Sequence, residues 1–407
     1  MREEIKQVKE ILKGMGRLIE IIKGVTEIST DMLLSLKYTI EGVNETIFQS
    51  TYLQECCAYE AVIRYEEEPY QVSELLEEVA KWYQMVTEKV NLLETKCNYV
   101  DYDFYVLMNY VQMVPENVLL GDMIHNFEKN KEKGMENYVS FVDFFNRHAD
   151  FWGTVDIEAE NYELFEKRID ELKEHSGDFI WLYENLEDYR SKLVLSGILN
   201  YWVNYNNAVI LKIRENSFVS YYDLDLMKST ENEVFVDLGA YTGDSAEEFI
   251  YHMGSYKHIY CYEIAKDTFE QLKAAMEPYE NVTLCNKGVA DKKGIMYVDS
   301  VQDASNHKVV TEGTETVEVT TLDDDIKEKI TLIKMDIEGG EQAALRGARE
   351  HITNEKPKLA ICTYHNNTDL WKIPRMMREM NPEYKLYMRY NGPEYGYNVT
   401  EFVTFGI

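Results

Sequence analysis

The chain has 407 residues, too many for one ordinary domain and suited to two or three. With 45% hydrophobic and 28% charged residues, 7 prolines and 21 glycines, it is neither disordered throughout nor a collagen-like or Pro-rich low-complexity chain. Its 42 Lys+Arg stand against 73 Asp+Glu, and a net charge of −31 argues against a broad basic face for nucleic acid or anionic lipid. Residues 231–407 alone carry 19 basic and 31 acidic side chains, so no cationic arm is hidden in the average.

The chain opens on a helical pattern. Ile5, Leu12, Ile19, Leu33, Ile40 and Ile47 fall on a seven-residue grid, and Val8, Met15, Ile22, Leu36 and Val43 on a second grid three residues later. That is an a/d seam of about six heptads. Four glycines, Gly14, Gly16, Gly24 and Gly42, weaken it by roughly 0.5–1 kcal/mol each against Ala. Two packings compete: a homodimer through the N-terminal helices, or an antiparallel bundle with the helices that follow. The seam contains Leu18-Ile19-Glu20-Ile21-Ile22, the best apolar run, which charge interrupts well short of the ~18 residues of a membrane span.

Cys56, Cys57, Cys97, Cys261, Cys285 and Cys362 form no CxxC and no even framework. With no signal peptide read, they are expected to be reduced thiols in a cytoplasmic protein, Cys56–Cys57 packing as small hydrophobes rather than acting as a redox pair. Further helices are expected over 73–96, capped by Ser73, and over 102–114, 116–132, 137–147, 161–174 and 179–213. The aromatic residues here (among them Tyr59, Tyr65, Tyr83, Tyr105, Tyr110, Phe144, Phe145, Phe151 and Trp152) could stack on carbohydrate, but filling a helical core and its interfaces is the preferred reading. The pattern divides the chain into an all-helical domain at 1–158, a helical lead-in at 159–230 and a distinct domain at 231–407.

From residue 231 short apolar runs alternate with helices. Strands are expected at 234–238, 259–263, 282–285, 332–336 and 359–363. Helices should start at Ser245, Lys266, Gly339 and Asp369, with closing strands at 385–390 and 401–406. A hairpin, Ile295–Val298 with Val317–Thr320, is inserted before the fourth core strand. Alternating β and α implies a doubly wound, mostly parallel sheet.

The first βα turn reads Asp237-Leu238-Gly239-Ala240-Tyr241-Thr242-Gly243-Asp244-Ser245. Glycines at a strand end, followed by free N–H groups at a helix start, suit a nucleotide-like ligand. The spacing is not Gly-x-Gly-x-x-Gly, and an acid two residues before the first Gly repels a pyrophosphate. A cationic or zwitterionic ligand such as S-adenosylmethionine fits better. Glu263, at the end of the second strand, can accept two ribose hydroxyls, as it could for a dinucleotide. Residues 286–291 follow the third strand, and small groups there, Gly288 and Val289, could border an adenine ring or simply form a loop.

Lys334-x-Asp336-x-Glu338 would point to one side in an extended chain, at the carboxyl end of a central strand where ligands bind. Lys334 reads as the partner that holds the acids, Asp336 as facing the reacting centre, and Glu338 as facing it too or capping the next helix. His365 ends the fifth strand in the same crevice and is the expected general base.

These residues, in this order, resemble the FkbM-type methyltransferases. The matching pieces are Phe235 to Ser245, Tyr262-Glu263, Thr321-Leu322-Asp323, Leu332 to Glu341, Tyr364-His365 and Asp369 to Pro374, with Lys-x-Asp-x-Glu-Gly-x-Glu the most specific. The resemblance covers about 231–407 well and implies a class I methyltransferase domain, with a Rossmann-like, seven-stranded, mostly parallel sheet. It also implies S-adenosyl-L-methionine as cofactor and transfer to a hydroxyl, many members serving glycan or natural-product biosynthesis. Carried over, Asp237, Gly239 and Gly243 would hold the amino-acid part of the cofactor, with Ala240, Tyr241, Thr242 and Ser245 around them. Glu263 would take the ribose, and Ile264, Gly288, Val289 and Asp336 would also bind the cofactor. Asp303-Ala304-Ser305 sits where the family often has a Ser-rich loop, of which one Ser remains. Catalysis would fall to His365, Asp336 and Glu338. The site is expected to be metal-free, with a cation bridged by Asp336 and Glu338 ranked below that. The expected acceptor is a sugar or glycan hydroxyl or a related small metabolite, with no nucleic-acid partner. The competing readings are a non-catalytic scaffold working through its N-terminal helices and, disfavoured by its motif, a Rossmann dehydrogenase.

Overall fold

The computed structural model describes residues 99–133, 135–156, 158–205, 207–299, 308–310, 315–392 and 400–407. The heptad seam, the helix expected after Ser73, Cys56, Cys57, Cys97 and the Asp303-Ala304-Ser305 loop lie outside the described residues. The chain divides into two compact units. Among the described residues, one comprises 99–133 together with 172–176 and 199–205, and the other comprises those of 135–171, 177–198 and 207–407.

In the first unit, α1 (Tyr99–Met113) and α2 (Glu116–Lys133) are separated by Pro115. α1 buries Phe104, Leu107, Met108 and Val111, and α2 buries Leu119, Met123 and Phe127, each set spaced three or four apart on one helix face. The Pro115 carbonyl accepts the first N–H groups of α2, from Val118 and Leu119. Tyr110 donates to the buried Asp122, and Lys173 Nζ donates to the Val114 carbonyl at 2.6 Å.

The helices that follow are α3 (Met135–Arg147), α4 (Ala149–Trp152), α5 (Glu163–Glu174), α6 (Ser176–Asn185), α7 (Tyr189–Asn204) and α8 (Asn207–Ile213). The single helix expected over 179–213 is thus broken twice. Between α6 and α7 the Asp188 carboxylate accepts the Ser191 N–H at 2.7 Å, in the manner of a cap. Between α7 and α8 stands Tyr205, at φ +51.

From here the α/β alternation appears as expected. The elements are β1 (Val234–Leu238), α9 (Asp244–Met253), β2 (His258–Tyr262), α10 (Lys266–Met276), β3 (Val282–Cys285), β4 (Gly288–Val289), β5 (Gly294–Asp299), β6 (Lys308–Val310) and β7 (Glu315–Thr320). They continue with α11 (Leu322–Asp325), β8 (Leu332–Met335), α12 (Glu341–Gly347), α13 (Arg349–Glu355), β9 (Lys358–Cys362), α14 (Asp369–Met380), β10 (Leu386–Tyr390) and β11 (Phe402–Gly406). A seven-stranded sheet runs β10-β11-β9-β8-β1-β2-β3, parallel except where β11 pairs antiparallel with β9 and β10. This is the class I methyltransferase fold. A second sheet, β4-β7-β5-β6, contains the expected hairpin, with Ile295 opposite Glu318.

β1 and β8 are buried along their whole length, as the central strands of a sheet covered on both faces must be. The order reverses between them, since the chain leaves β1 for β2 on one side and later returns as β8 on the other. A crevice opens at their carboxyl ends. The helix expected from Gly339 is two helices, because Ala348 leaves helical torsion at φ −111, ψ 13.

Arg389 of β10, 3% exposed, ties the helical lead-in to the sheet. Its Nε donates to Asp223 at 2.6 Å and its terminal nitrogens to Asp188 at 2.8 Å and Ser191 at 3.0 Å. Such multidentate charge-assisted bonds are strong, and losing one member strands the others in the interior. Arg389→Leu leaves Asp223, 2% exposed, without its counter-ion. It should cost about 3–5 kcal/mol in urea unfolding; a loss below 1 kcal/mol would mean that the acids relax into water.

Candidate functional site

The crevice holds a cavity of about 530 Å³. Its floor is the turn after β1 (Leu238, Gly239, Tyr241, Asp244, Ser245) and the end of β8 with the turn after it (Lys334, Asp336 to Gly340). Tyr262, Glu263, Ile264, Lys287, Gly288 and Val289 close one side. Tyr364, His365 and Asn366 after β9, and Thr400 and Glu401 before β11, close the other. Phe144, His148, Phe151 and Trp152, from α3 and α4, and Tyr221 complete it.

Asp237 and Lys334 are register partners on β1 and β8. Their charges meet at 3.0 Å with both side chains buried. Asp237 also accepts from Ser245 Oγ at 2.6 Å, and Lys334 Nζ donates to the Gly239 carbonyl at 2.7 Å. Burial disfavours charge on Lys334, but Asp237 and Asp336 outweigh it and hold the ammonium firmly protonated. Asp237 therefore does not face the cavity as the carry-over expects. It acts inside the fold, fixing the turn and the first residues of α9. Ala240, Thr242 and Gly243 also lie off the cavity lining. Gly239 has φ +76, and a Cβ there would stand 1.8 Å from the Asp336 carbonyl. Its glycine is dictated by the close approach of the two turns as well as by its torsion.

Glu263 faces the cavity from the end of β2. Its Oε2 accepts the Tyr241 N–H at 3.1 Å and its Oε1 the Ala265 N–H at 2.7 Å. The carboxylate is thereby held in one orientation. Asn286 Nδ2 donates to the Glu263 and Ile264 carbonyls at 2.8 and 3.2 Å and fixes the loop that carries Gly288 and Val289.

Opposite stands a nest of acids around one imidazole. β8 ends at Met335, so Glu338 does not extend the strand; it turns at φ +53, followed by Gly339 at φ +91. The alternation expected for Lys334, Asp336 and Glu338 fails, and Glu338 caps no helix, since α12 starts from Gly340 without a side-chain cap. The turn nonetheless brings the acids together. His365 Nε2 lies 3.5 Å from Asp336 Oδ1 and 3.5 Å from Glu338 Oε2, and His365 Nδ1 lies 3.0 Å from Glu341 Oε1. Glu341, fully buried, also accepts the Ile337 N–H at 2.9 Å. Asp336 Oδ2 accepts from the Tyr221 hydroxyl at 2.7 Å and Oδ1 from the Tyr364 hydroxyl at 3.2 Å.

Burial works against charge on His365, but Glu341, Glu338 and Asp336 overcome it and push its pKa up to about 10. The imidazole thus holds its proton at neutral pH, and the general-base role expected for it does not follow from the structure. Burial pushes Glu338 up to about 7 and Glu401 up to about 7 as well. Burial also opposes the Asp336 charge, but His365, Lys334 and the Tyr221 hydroxyl hold its carboxyl below the usual range.

Four cavity residues, Tyr221, Tyr241, Glu338 and Glu401, hold positive φ without being glycine. Such strain persists only where the surroundings enforce it. Sequence reasoning missed Tyr221, Glu401 and the orienting role of Glu341. Glu341 was visible in the Lys-x-Asp-x-Glu-Gly-x-Glu string; Tyr221 and Glu401 arrive from distant segments with no local signal. The aromatic list of the helical region contained a real cavity wall. Phe145 is buried as a filler, but half-buried Phe144 and Phe151 line the cavity together with the more deeply buried Trp152, which donates its Nε1–H to the Tyr364 carbonyl at 3.1 Å.

Residues 237–399 match the family model of the methyltransferase FkbM domain, and this part of the chain is a domain of that type. A solved structure of methyltransferase FkbM from Methylobacillus flagellatus KT is similar at 23% identity and a TM-score of 0.51. The match covers 59% of this chain and 62% of that one, so the chain spans less than two thirds of that structure's length. An rRNA methylase from Streptococcus thermophilus matches at 14% identity over 45% of this chain and 89% of its own, with a TM-score of 0.30. A fibrillarin from Aeropyrum pernix, solved with natively bound S-adenosyl-L-methionine, matches at 12% identity over 45% and 70%, also with a TM-score of 0.30. No curated protein matches the sequence.

Two outcomes check this geometry. Gly239→Ala should lose more than about 3 kcal/mol of stability in chemical unfolding, because backbone blocks its Cβ; a loss under 1 kcal/mol would refute the close approach. In metal-free buffer the stability that His365 contributes as an imidazolium should be complete below its unfolded pKa near 6.5. It should vanish as pH rises through about 10. The difference in melting temperature between the wild type and His365→Gln should shrink accordingly, whereas a pH-independent difference would mean a neutral imidazole.

Proposed function

We propose that the chain is an S-adenosylmethionine-dependent O-methyltransferase acting on a hydroxyl of a sugar, glycan or related small metabolite. The observation that carries this reading is one cavity shared by two acidic sites of different character. The fixed Glu263 carboxylate stands at the end of β2, and the nest of Asp336, Glu338 and His365 stands beyond β8 and β9. The residues present fit the cofactor. Two carboxylate oxygens suit a ribose diol, the apolar edges of Ile264 and Val289 suit a flat base, and the cavity's acids favour a cation.

When bound, S-adenosylmethionine would supply a methyl carbon on its sulfonium, which an acceptor oxygen attacks in line while the neutral thioether, S-adenosylhomocysteine, leaves. Glu263 binds and orients the ribose hydroxyls. Lys334 and Asp237 keep the turn after β1 in place from behind. Asp336, steadied by Tyr221 and Tyr364, accepts a hydrogen bond from the acceptor hydroxyl and aligns it. Glu401, with its pKa raised to about 7, is matched to take the hydroxyl proton near neutral pH, in the role that the sequence suggested for His365. Phe144, Phe151 and Trp152 offer flat apolar surface to the C–H faces of a sugar and exclude water. The acids would repel a polyanion, which makes a neutral polyol the fitting acceptor.

Calorimetry should show binding of S-adenosylmethionine and S-adenosylhomocysteine but not NAD; binding of NAD alone would overturn the assignment. Glu263→Gln should weaken cofactor affinity by about tenfold or more, through the loss of charge-assisted hydrogen bonds. Glu401→Gln should lower turnover by about 10²-fold or more with cofactor affinity unchanged. The wild-type rate should rise with pH through about 7, and that rise should be absent in the variant. An unchanged profile would remove Glu401 from proton transfer.

A further inference from the structure

We propose that Asp336 Oδ1, Glu338 Oε2 and His365 Nε2 form a binding site for one divalent transition cation of the Mn²⁺ type, with Glu341 orienting the imidazole from behind. Nε2 stands 3.5 Å from each of the two carboxylate oxygens. Ligand atoms around one six-coordinate ion at roughly 2.1–2.2 Å are separated by about 3 Å, so Nε2 stands within about half an ångström of that spacing from each carboxylate oxygen. Asp336, Glu341 and His365 each offer a ligand atom within 4.8 Å of the others.

The imidazole separates this cluster from an ordinary patch of acids. His365 is 1% exposed, and its Nε2 makes no hydrogen bond although it borders a cavity. Nε2 has only long ion-pair contacts of 3.5 Å to Asp336 and Glu338, and a cation that displaces its proton would satisfy all three atoms at once. Nδ1 likewise makes no hydrogen bond but lies 3.0 Å from Glu341 Oε1, so a carboxylate stands behind the ring on the side away from Nε2, where it can orient a metal-bound imidazole. Glu341 is itself anchored by the Ile337 N–H, and Asp336 by two tyrosine hydroxyls, so the donors are held before any ion arrives. Three carboxylates, Asp336, Glu338 and Glu341, converge on this one imidazole, and Lys334 is already paired with Asp237.

One imidazole nitrogen with two carboxylate oxygens favours Mn²⁺, Fe²⁺, Co²⁺ or Zn²⁺ over Mg²⁺ or Ca²⁺. The remaining coordination positions face the cavity, where an acceptor hydroxyl could be held. That role rests on the methyl-transfer reading, whereas occupancy of the site does not.

The test uses the full chain freed of metal with a chelator and titrated with Mn²⁺, free ion being followed by electron paramagnetic resonance. One equivalent should bind saturably, with a nitrogen coupling from His365 in the pulsed spectrum. Affinity should fall at least tenfold in Asp336→Asn and in Glu338→Gln, each first shown to be folded by circular dichroism, and the nitrogen coupling should be lost in His365→Gln. No saturable binding to the wild type, or binding without nitrogen coupling, would overturn the site whatever the variants do. Calorimetry with S-adenosylmethionine on the same chelated protein separates the two proposals. Cofactor binding without Mn²⁺ binding discards only the cation, and Mn²⁺ binding without cofactor binding discards only the methyl-transfer reading.

Discussion

A single buried ammonium organises the α/β part of the molecule. Lys334 sits in the middle of a seven-stranded sheet, where charge is costly, and is kept there by Asp237 on the neighbouring strand. The same nitrogen reaches the Gly239 carbonyl and lies 5.1 Å from the centre of the Tyr221 ring. One side chain thus couples the strand order, the turn after β1, the start of α9 through Asp237 and Ser245, and the lead-in segment that carries Tyr221. Were it removed, Asp237 would stand buried with only a hydroxyl for company. The pair sits where the strand order reverses, at the point from which the crevice opens.

The second organising feature is the contrast between the two sides of that crevice. On the Glu263 side a carboxylate is locked by backbone N–H groups, an arrangement that fixes its charge and direction. On the His365 side the acids outnumber the cations, and burial lifts two of them towards neutrality. A fixed anion suits recognition of a constant cofactor part. A set of carboxyls that exchange protons near pH 7 suits chemistry on a hydroxyl. The unequal environments of residues of one chemical type separate the two tasks.

Much of this was legible in the sequence, because short apolar runs broken by glycine and acid at their carboxyl ends are local signals. β1, β2, β8 and β9, the place of Glu263 and the convergence of Asp336, Glu338 and His365 followed from them. What failed was non-local or torsional. The strand period was carried past Met335, where the backbone instead turns left-handed at Glu338. Asp237 read as a ligand because nothing near it in sequence shows that Lys334 lies beside it in register. The charge on His365 depends on Glu341, Glu338 and Asp336 being folded around it at once. Tyr221 and Glu401 enter from segments far away along the chain, and no spacing rule reaches that distance.

The hydrogen bond from Trp152 to the Tyr364 carbonyl spans 212 positions of sequence. During synthesis the aromatic wall leaves the ribosome long before the strand that receives it. β11, inserted between β9 and β10, is threaded into the sheet after both. A topology with such long-range closures folds slowly and late. The half-made polypeptide therefore has no pocket for a ligand to stabilise, and small-molecule rescue of folding can act only on chains that have passed this last insertion.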